Sequence, residues 1–188
     1  MNNFFGKNIC FYYYGEDHLV MNLYKYIKQQ IENNNYVYLY VGDDIHKLLL
    51  NNLDENEKNM VELIDVEKSI LNSRTISTGF SSTSIYLNNL KSKVISKGFW
   101  GVNFIIDSSK LLNTTCESTF MDFIKELSII CEKNQLNILA CYDFLDYINR
   151  GKTINENIMK SSYDYHDYRM FGNEIIPIEN FKINSNLA

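Results

Sequence analysis

The chain alternates between two patterns of hydrophobic and polar positions, and each pattern predicts one kind of element. Runs of consecutive apolar, β-branched and aromatic residues, such as "NICFYYY" and "YVYLYV", predict buried strands. Stretches with apolar residues three and four apart predict amphipathic helices that bury one face. On this basis we predict strands at 8–14, 36–41, 61–65, 100–107 and 136–143, and helices at 17–34, 45–52, 80–97 and 115–133.

The order of these elements predicts the fold class. Strands and helices alternate, and the connections between strands are too long for hairpins, which indicates parallel pairing. We therefore predict a single α/β domain over residues 1–188, with a core at roughly 8–172 and an open, mostly parallel sheet between two layers of helices, as in Rossmann-like folds. In the tail, "FLDYI" and "INENIMKSS" favour helices, and "YRMF" and "EIIPI" favour short strands that pair as an antiparallel edge.

The helical spacing also predicts which side chains face the core. In the helix at 80–97 the apolar positions fall on one side, and we expect that side to be buried. These positions are Ile85, Tyr86, Leu90, Val94 and Ile95.

The composition limits the classes of function. An apolar fraction of 45% suits a globular core, and a net charge of −5 with three arginines argues against direct binding of nucleic acid. No apolar stretch reaches the roughly 20 residues of a membrane span, and the N-terminus lacks a signal-peptide pattern, so we expect a cytoplasmic protein. The four cysteines form no C-x-x-C pair, so we expect buried thiols, no metal site and no cofactor.

Carboxylates follow the predicted strands at the edge where open parallel sheets bind their ligands. Glu16 and Asp17 follow the first strand, and Asp43 and Asp44 follow the second. We therefore predict a pocket at this edge between Tyr14, Glu16, His18, Asp107, Tyr142 and Asp143. The full set of candidate ligand-binding residues adds Asp17, Asp43 and His166.

Structural roles compete with this prediction. An aspartate after a strand often caps the next helix, and Asp17, Asp43 and Asp44 suit that role. Asp107 suits it less, because the following helix is predicted to begin several residues later. Cys141 lies within an apolar strand, where burial makes a thiol unreactive.

The turn after the first strand has the position of a phosphate-binding loop but not its residues. The pattern G-x-x-x-x-G-K-[ST] is absent, and Glu16 and Asp17 would repel a triphosphate. "VNFIID" resembles the strand that ends in a magnesium-binding aspartate in P-loop hydrolases, yet the lysine that would accompany it is missing. We therefore expect a degenerate P-loop and no nucleotide hydrolysis.

Several short motifs resemble the MEDS family, a sensory domain of methanogen and methylotroph regulators. They are "ICFYYYGEDHL", "NYVYLYV", "ILACYD" and a later histidine, His166 in "YDYHDY", and the resemblance spans residues 8–170. The chain has Asn103 where the family often has arginine, and Ile124 near the position of a family glutamate, with Glu126 two residues away. The resemblance implies a RecA/KaiC-like core without its phosphate loop and a sensory or regulatory role.

These observations favour a non-catalytic domain that binds a small molecule, a regulatory protein, or both, in signal transduction or transcriptional control. The alternative is a hydrolase-type enzyme, metal-dependent or not, that uses the acidic edge with Asp107 and His18. The tyrosine-rich segment 161–172 and the open sheet edges suggest a homodimer or partner surface.

Overall fold

The computed structural model describes residues 6–67, 79–151 and 153–181. Within these residues, seven strands form one sheet in the order β3-β2-β4-β5-β1-β6-β7. Every pair is parallel except β6 and β7, which are antiparallel. The strands are β1 (Asn8–Tyr13), β2 (Asn35–Tyr40), β3 (Val61–Leu63), β4 (Gly101–Asp107), β5 (Asn137–Asp143), β6 (Tyr168–Phe171) and β7 (Glu174–Pro177).

Helices connect the strands and cover both faces of the sheet. They are α1 (Glu16–Glu32), α2 (Asp43–Asn51), α3 (Glu55–Lys58), α4 (Gly79–Ile95), α5 (Ser108–Thr114), α6 (Glu117–Asn134), α7 (Phe144–Ile148) and α8 (Glu156–Asp164), and a 3-10 helix spans Ile178–Phe181. Within the described ranges, no helix is long and apolar enough to cross a membrane.

The sheet separates two apolar cores, because successive side chains of a strand face opposite sides. One core contains Tyr12 and packs residues of α4, α5, α6 and α8 against the sheet. The other contains Phe11 and Tyr13 and packs residues of α1 and α2. The predicted three-layer α/β architecture is therefore confirmed, and the consecutive tyrosines of β1 lie in different layers.

The tail completes the sheet. β6 pairs with β1, with Ile9 opposite Tyr168, and β7 pairs with β6. The predicted antiparallel edge is confirmed. Phe171 at the end of β6 remains 64% exposed.

The predicted inward face of α4 is partly wrong. Leu87 and Val94 are buried, whereas Ile85 is 58% exposed and Ile95 is also exposed. Leu87 and Val94 are seven residues apart and share one face, and at 100° per residue Ile85 lies about 160° from Leu87. The spacing thus identified the helix, but several apolar residues around it left its rotation ambiguous.

Candidate functional site

The turn after β1 creates an exposed aromatic position at the carboxyl edge of the sheet. Gly15 has φ of 77°, a conformation that favours glycine, and it occupies the N-cap position of α1. Tyr14 is 52% exposed, and its backbone N–H donates to His18 Nδ1 at 3.1 Å. Because Nδ1 accepts this hydrogen bond, the neutral ring carries its proton on Nε2.

Asp107 and Asp143 lie near each other at this edge. Both end strands that pair with one another, and their repulsion contributes to raising the pKa of Asp107. Burial is the main cause, and it raises the pKa of Asp107 to about 6 despite hydrogen bonds from the backbone of Ser109 and Lys110. Asp143 is half-buried and accepts hydrogen bonds from the backbone of Leu145 and Asp146 at 3.0 and 3.1 Å.

These contacts correct the expectations about helix caps. α5 begins at Ser108, directly after Asp107, and Asp107 Oδ1 accepts from Ser109 N at 3.0 Å, so Asp107 is a cap. Gly15 and Gly42 occupy the N-cap positions of α1 and α2, so Asp17, Asp43 and Asp44 lie in the first helical turns and are exposed. Glu16 is also exposed. In these positions the carboxylates favourably face the positive end of the helix dipole.

Asp43 belongs to a separate part of the edge, beyond β2. It lines a cavity of about 290 Å³ together with Tyr40, Asp65, Glu67 and Lys110. Lys110 Nζ donates to the Val41 carbonyl at 2.9 Å and lies 4.5 Å from the centre of the Tyr40 ring. Lys110 was not among the predicted site residues; its position three residues after Asp107 was the available signal.

Tyr142 and His166 lie in the core on the α6 and α8 side of the sheet. Tyr142 is fully buried, and its ring meets that of His166 edge-on at 5.7 Å. Burial raises the pKa of Tyr142 well above its ordinary value. His166 is 4% exposed, and burial lowers its pKa to about 4. The nine candidate residues therefore do not form one cluster.

An exposed apolar patch, also missed from sequence, adjoins the Gly15 turn. It consists of Tyr14, Leu145 and Ile148, all of which are exposed. The Tyr14 ring lies 5.2 Å from that of Phe144, and a Cβ on Gly15 would lie 3.8 Å from Leu145 Cδ2. The Gly15 turn and α7 thus present one continuous aromatic and aliphatic surface.

The cysteines divide into two environments. Cys10, Cys131 and Cys141 are buried, and burial raises the pKa of each thiol. Cys116 is exposed, contrary to expectation, and hydrogen bonds with the Ser118 and Thr119 hydroxyls lower its pKa to about 7. Across the described residues, no group of three or more His, Cys, Asp or Glu side chains is arranged to hold a metal ion.

Comparison with known proteins now identifies the family. A family model described as the methanogen/methylotroph, DcmR sensory domain (MEDS) matches residues 9–167. The chain belongs to the MEDS family. This confirms the resemblance seen in the motifs and places the chain among sensory domains. No curated protein matches it.

The fold of this MEDS domain is similar to that of a KaiC-like protein from the hyperthermophilic archaeon Pyrococcus horikoshii OT3. The TM-score is 0.55 at 9% sequence identity, and the match covers 91% of this chain and 76% of the other. This likeness concerns the fold and supports the predicted RecA/KaiC-like core. Asn103 is buried and accepts a hydrogen bond from the Tyr26 hydroxyl at 3.0 Å.

Proposed function

We propose that this MEDS domain is a non-catalytic sensor that binds a small-molecule ligand at the carboxyl edge of its sheet and passes the signal to a regulatory protein. The observation that carries the proposal is the Gly15 turn. It retains the strand–glycine–helix geometry of a ligand loop. The side chains beside this turn are Tyr14, which is exposed, and His18, which is partly exposed and whose ring contacts that of Tyr14. Aromatic rings with a few polar groups are typical of small-molecule sites.

The charges at this edge argue against a nucleotide as the ligand. The first turn of α1 carries Glu16 and Asp17, and Asp143 is the last residue of β5. Lys110, which lies near Asp107, is engaged by a backbone carbonyl and a tyrosine ring. A triphosphate would therefore meet carboxylates where a P-loop supplies a lysine.

A hydrolase-type enzyme is the second candidate, and Asp107 favours it. A buried carboxyl with a pKa of about 6 is of the kind that acts as a general acid or base near neutral pH. Its role as the cap of α5 is a structural reason for the same position. Turnover of ester or phosphoester substrates that is lost in Asp107→Asn would favour the enzyme over the sensor.

A thermal-shift screen of small organic acids, amino acids, amines and aromatic compounds tests the sensor proposal. We expect at least one compound to raise Tm, and Tyr14→Ala or His18→Gln to abolish that rise. Met21→Ala, an exposed change on α1 outside the patch, is the control and should keep the rise. A hit unaffected by the Tyr14 and His18 variants would place the site elsewhere and contradict the proposal.

The output surface that we propose consists of the exposed residues of segment 161–172. Its end strand β6 is part of the sheet, but Phe171 is exposed and available to a second copy or a partner. An interface of about 1,000 Å² in total would give a stable complex. Light scattering over a concentration series should show a dimer, or a pulldown should recover a partner. Phe171→Ala should weaken that complex, whereas Leu48→Ala, an exposed change on α2, should not. A monomer whose partners are unchanged by Phe171→Ala would refute this surface.

A further inference from the structure

A cavity of about 460 Å³ lies between α7 and the start of α8. Because α7 begins directly after β5, the cavity belongs to the same carboxyl edge of the sheet as the Gly15 turn. Its wall includes Ile148, which is also part of the apolar patch beside Tyr14. The volume is within the range of small-molecule pockets. The cavity therefore extends the ligand site of the proposed function beyond its aromatic patch.

The wall of the cavity combines an apolar surface with two opposite charges. Tyr147, Ile148 and Ile154 supply the apolar part, and Ile154 is 1% exposed. Arg150 supplies a guanidinium group, and Glu156 supplies a carboxylate. A wall of this composition fits a ligand that has an apolar body and carries both a negative and a positive group.

The protein does not neutralise these two charges itself. In the described part of the chain, no ion pair or side-chain hydrogen bond joins Arg150 or Glu156 to each other or to another residue. The side chain of Asn155, in the same wall, is engaged, since it accepts from Ile158 N at 3.0 Å and donates to Glu117 at 2.7 Å. A ligand with a carboxylate and an ammonium group would pair with both unpaired charges at once.

The backbone conformation at Arg150 indicates that arginine is present for its side chain. Arg150 follows Asn149, the C-cap of α7, and has φ of 52°. Glycine is the usual residue at this position of a helix end, because a Cβ is disfavoured in the left-handed region. Strained residues of this kind cluster at ligand-binding sites, where the function of the side chain offsets the strain.

Contacts around Asp146 hold the segment that carries this arginine. Gly151 N donates to the Asp146 carbonyl at 2.7 Å, and Ile154 N donates to Asp146 Oδ2 at 2.7 Å. A Cβ on Gly151 would collide with the Asp146 carboxylate, so glycine is required at this position. The backbone of the cavity wall is therefore fixed before a ligand binds, which lowers the entropy cost of binding.

We propose that the ligand of this edge is a free α-amino acid with an apolar side chain. Arg150 binds its carboxylate, and Glu156 binds its ammonium group. Tyr147 and Ile148 contact its side chain. Arginine forms paired hydrogen bonds with a carboxylate, and one charge of each sign favours a zwitterion over a simple anion or cation. This inference rests on the proposed function, because it names the ligand class of the same carboxyl-edge site.

Isothermal titration with L-phenylalanine and two analogues tests each charged contact. L-Phenylalaninamide lacks the carboxylate, and 3-phenylpropanoate lacks the ammonium group. We expect the wild type to bind L-phenylalanine about tenfold more tightly than either analogue, since each analogue loses one charged contact. Arg150→Gln should remove only the preference over the amide, and Glu156→Gln should remove only the preference over 3-phenylpropanoate.

Three results of these titrations would overturn the proposal. The first is a wild type that does not distinguish L-phenylalanine from its analogues. The second is an equal loss of affinity for all three compounds in Arg150→Gln or Glu156→Gln. The third is the absence of saturable binding of both L-phenylalanine and L-leucine at millimolar concentration. Lys160→Gln and Glu32→Gln, exposed changes outside the cavity, are the controls and should keep the affinity within about twofold.

Arg150→Gly separates a ligand contact from a structural role. Because φ at this position favours glycine, the variant without ligand should have a Tm no lower than that of the wild type. It should nevertheless lose the preference for L-phenylalanine over the amide. A lower Tm together with weaker binding of all three compounds would mean that Arg150 acts through the fold, and it would overturn the proposal.

Failure of this inference is distinguishable from failure of the proposed function. A thermal shift that depends on Tyr14, given by a compound of another class and unchanged in Arg150→Gln, would support the sensor and overturn the amino-acid ligand. L-Phenylalanine binding that depends on Arg150 and Glu156 but is unchanged in Tyr14→Ala would support the amino-acid ligand and refute the Gly15 turn as part of its site.

Discussion

At the residue scale, Asp107 makes stability depend on pH in a direction opposite to most carboxylates. Its pKa of about 6 in the folded protein lies above the ordinary 3.8, so the folded state binds more protons between these values and becomes less stable as pH rises. Asp107→Asn keeps an oxygen for the α5 cap but carries no charge. We expect the variant to be as stable as wild type near pH 4 and more stable by roughly 3 kcal/mol above pH 6. Urea denaturation at several pH values measures this, and a difference independent of pH would contradict it.

His166 makes the stability of the folded protein rise with pH, the reverse of the effect of Asp107, over nearly the same range of pH. Burial lowers its pKa to about 4 from 6.5, so the unfolded state binds more protons between these values and the folded state gains stability as pH rises. The free energy of unfolding of the wild type, relative to that of His166→Gln, should increase by roughly 3 kcal/mol between pH 4 and pH 6.5. The same denaturation series measures it. A wild-type advantage that does not grow with pH would mean that His166 is not buried as a neutral ring.

At the scale of elements, the caps connect the sheet to its helices. Asp143 accepts two backbone hydrogen bonds at the start of α7, and its loss should reduce the free energy of unfolding by about 1 kcal/mol. Asp143→Ala removes both the cap and the charge, whereas Asp143→Asn removes the charge and keeps a capping oxygen. We expect the alanine variant to be the less stable of the two in thermal unfolding at pH 7. Equal stability of both variants would show that the cap contributes little.

The sequence predicted the elements better than their orientation. Continuous apolar strands and regular helical spacing are local signals, so the five core strands and the β-prone tail were correctly placed. The rotation of α4 and the environment of His166 depend on contacts distant in sequence, whereas the start of α5 is set by the local cap from Asp107 to Ser109 N, which was not recognised from the sequence. Ile85 is exposed although its spacing suits a core, and Tyr142 and His166 meet across 24 residues. The shared edge of Asp107 and Asp143 was predictable, because parallel strands end together.

At the scale of the whole molecule, the arrangement of charge predicts a poor nucleotide site. Glu16 and Asp17 begin α1 at the position where a phosphate would bind, and the chain has a net charge of −5. We expect titration with Mg-ATP to give no affinity in the low-micromolar range and no hydrolysis. Gly15→Lys would not create an ATP site, because the positive φ at position 15 is unfavourable for any residue with a side chain. Tight binding of Mg-ATP by the wild type would refute this prediction.

The interior position of β1 in the sheet has a consequence for how the protein is made. β1 is synthesised before both of its neighbours in the sheet, because residues 8–13 pair with residues 138–143 on one side and 168–170 on the other. β1 therefore waits, with its apolar side chains unpaired, until β5 and β6 have been synthesised. β2 and β4 can pair earlier, between residues 35–40 and 101–106. Since such distant pairing slows folding and leaves β-prone segments exposed, the nascent protein should depend on chaperones more than a helical bundle of equal size.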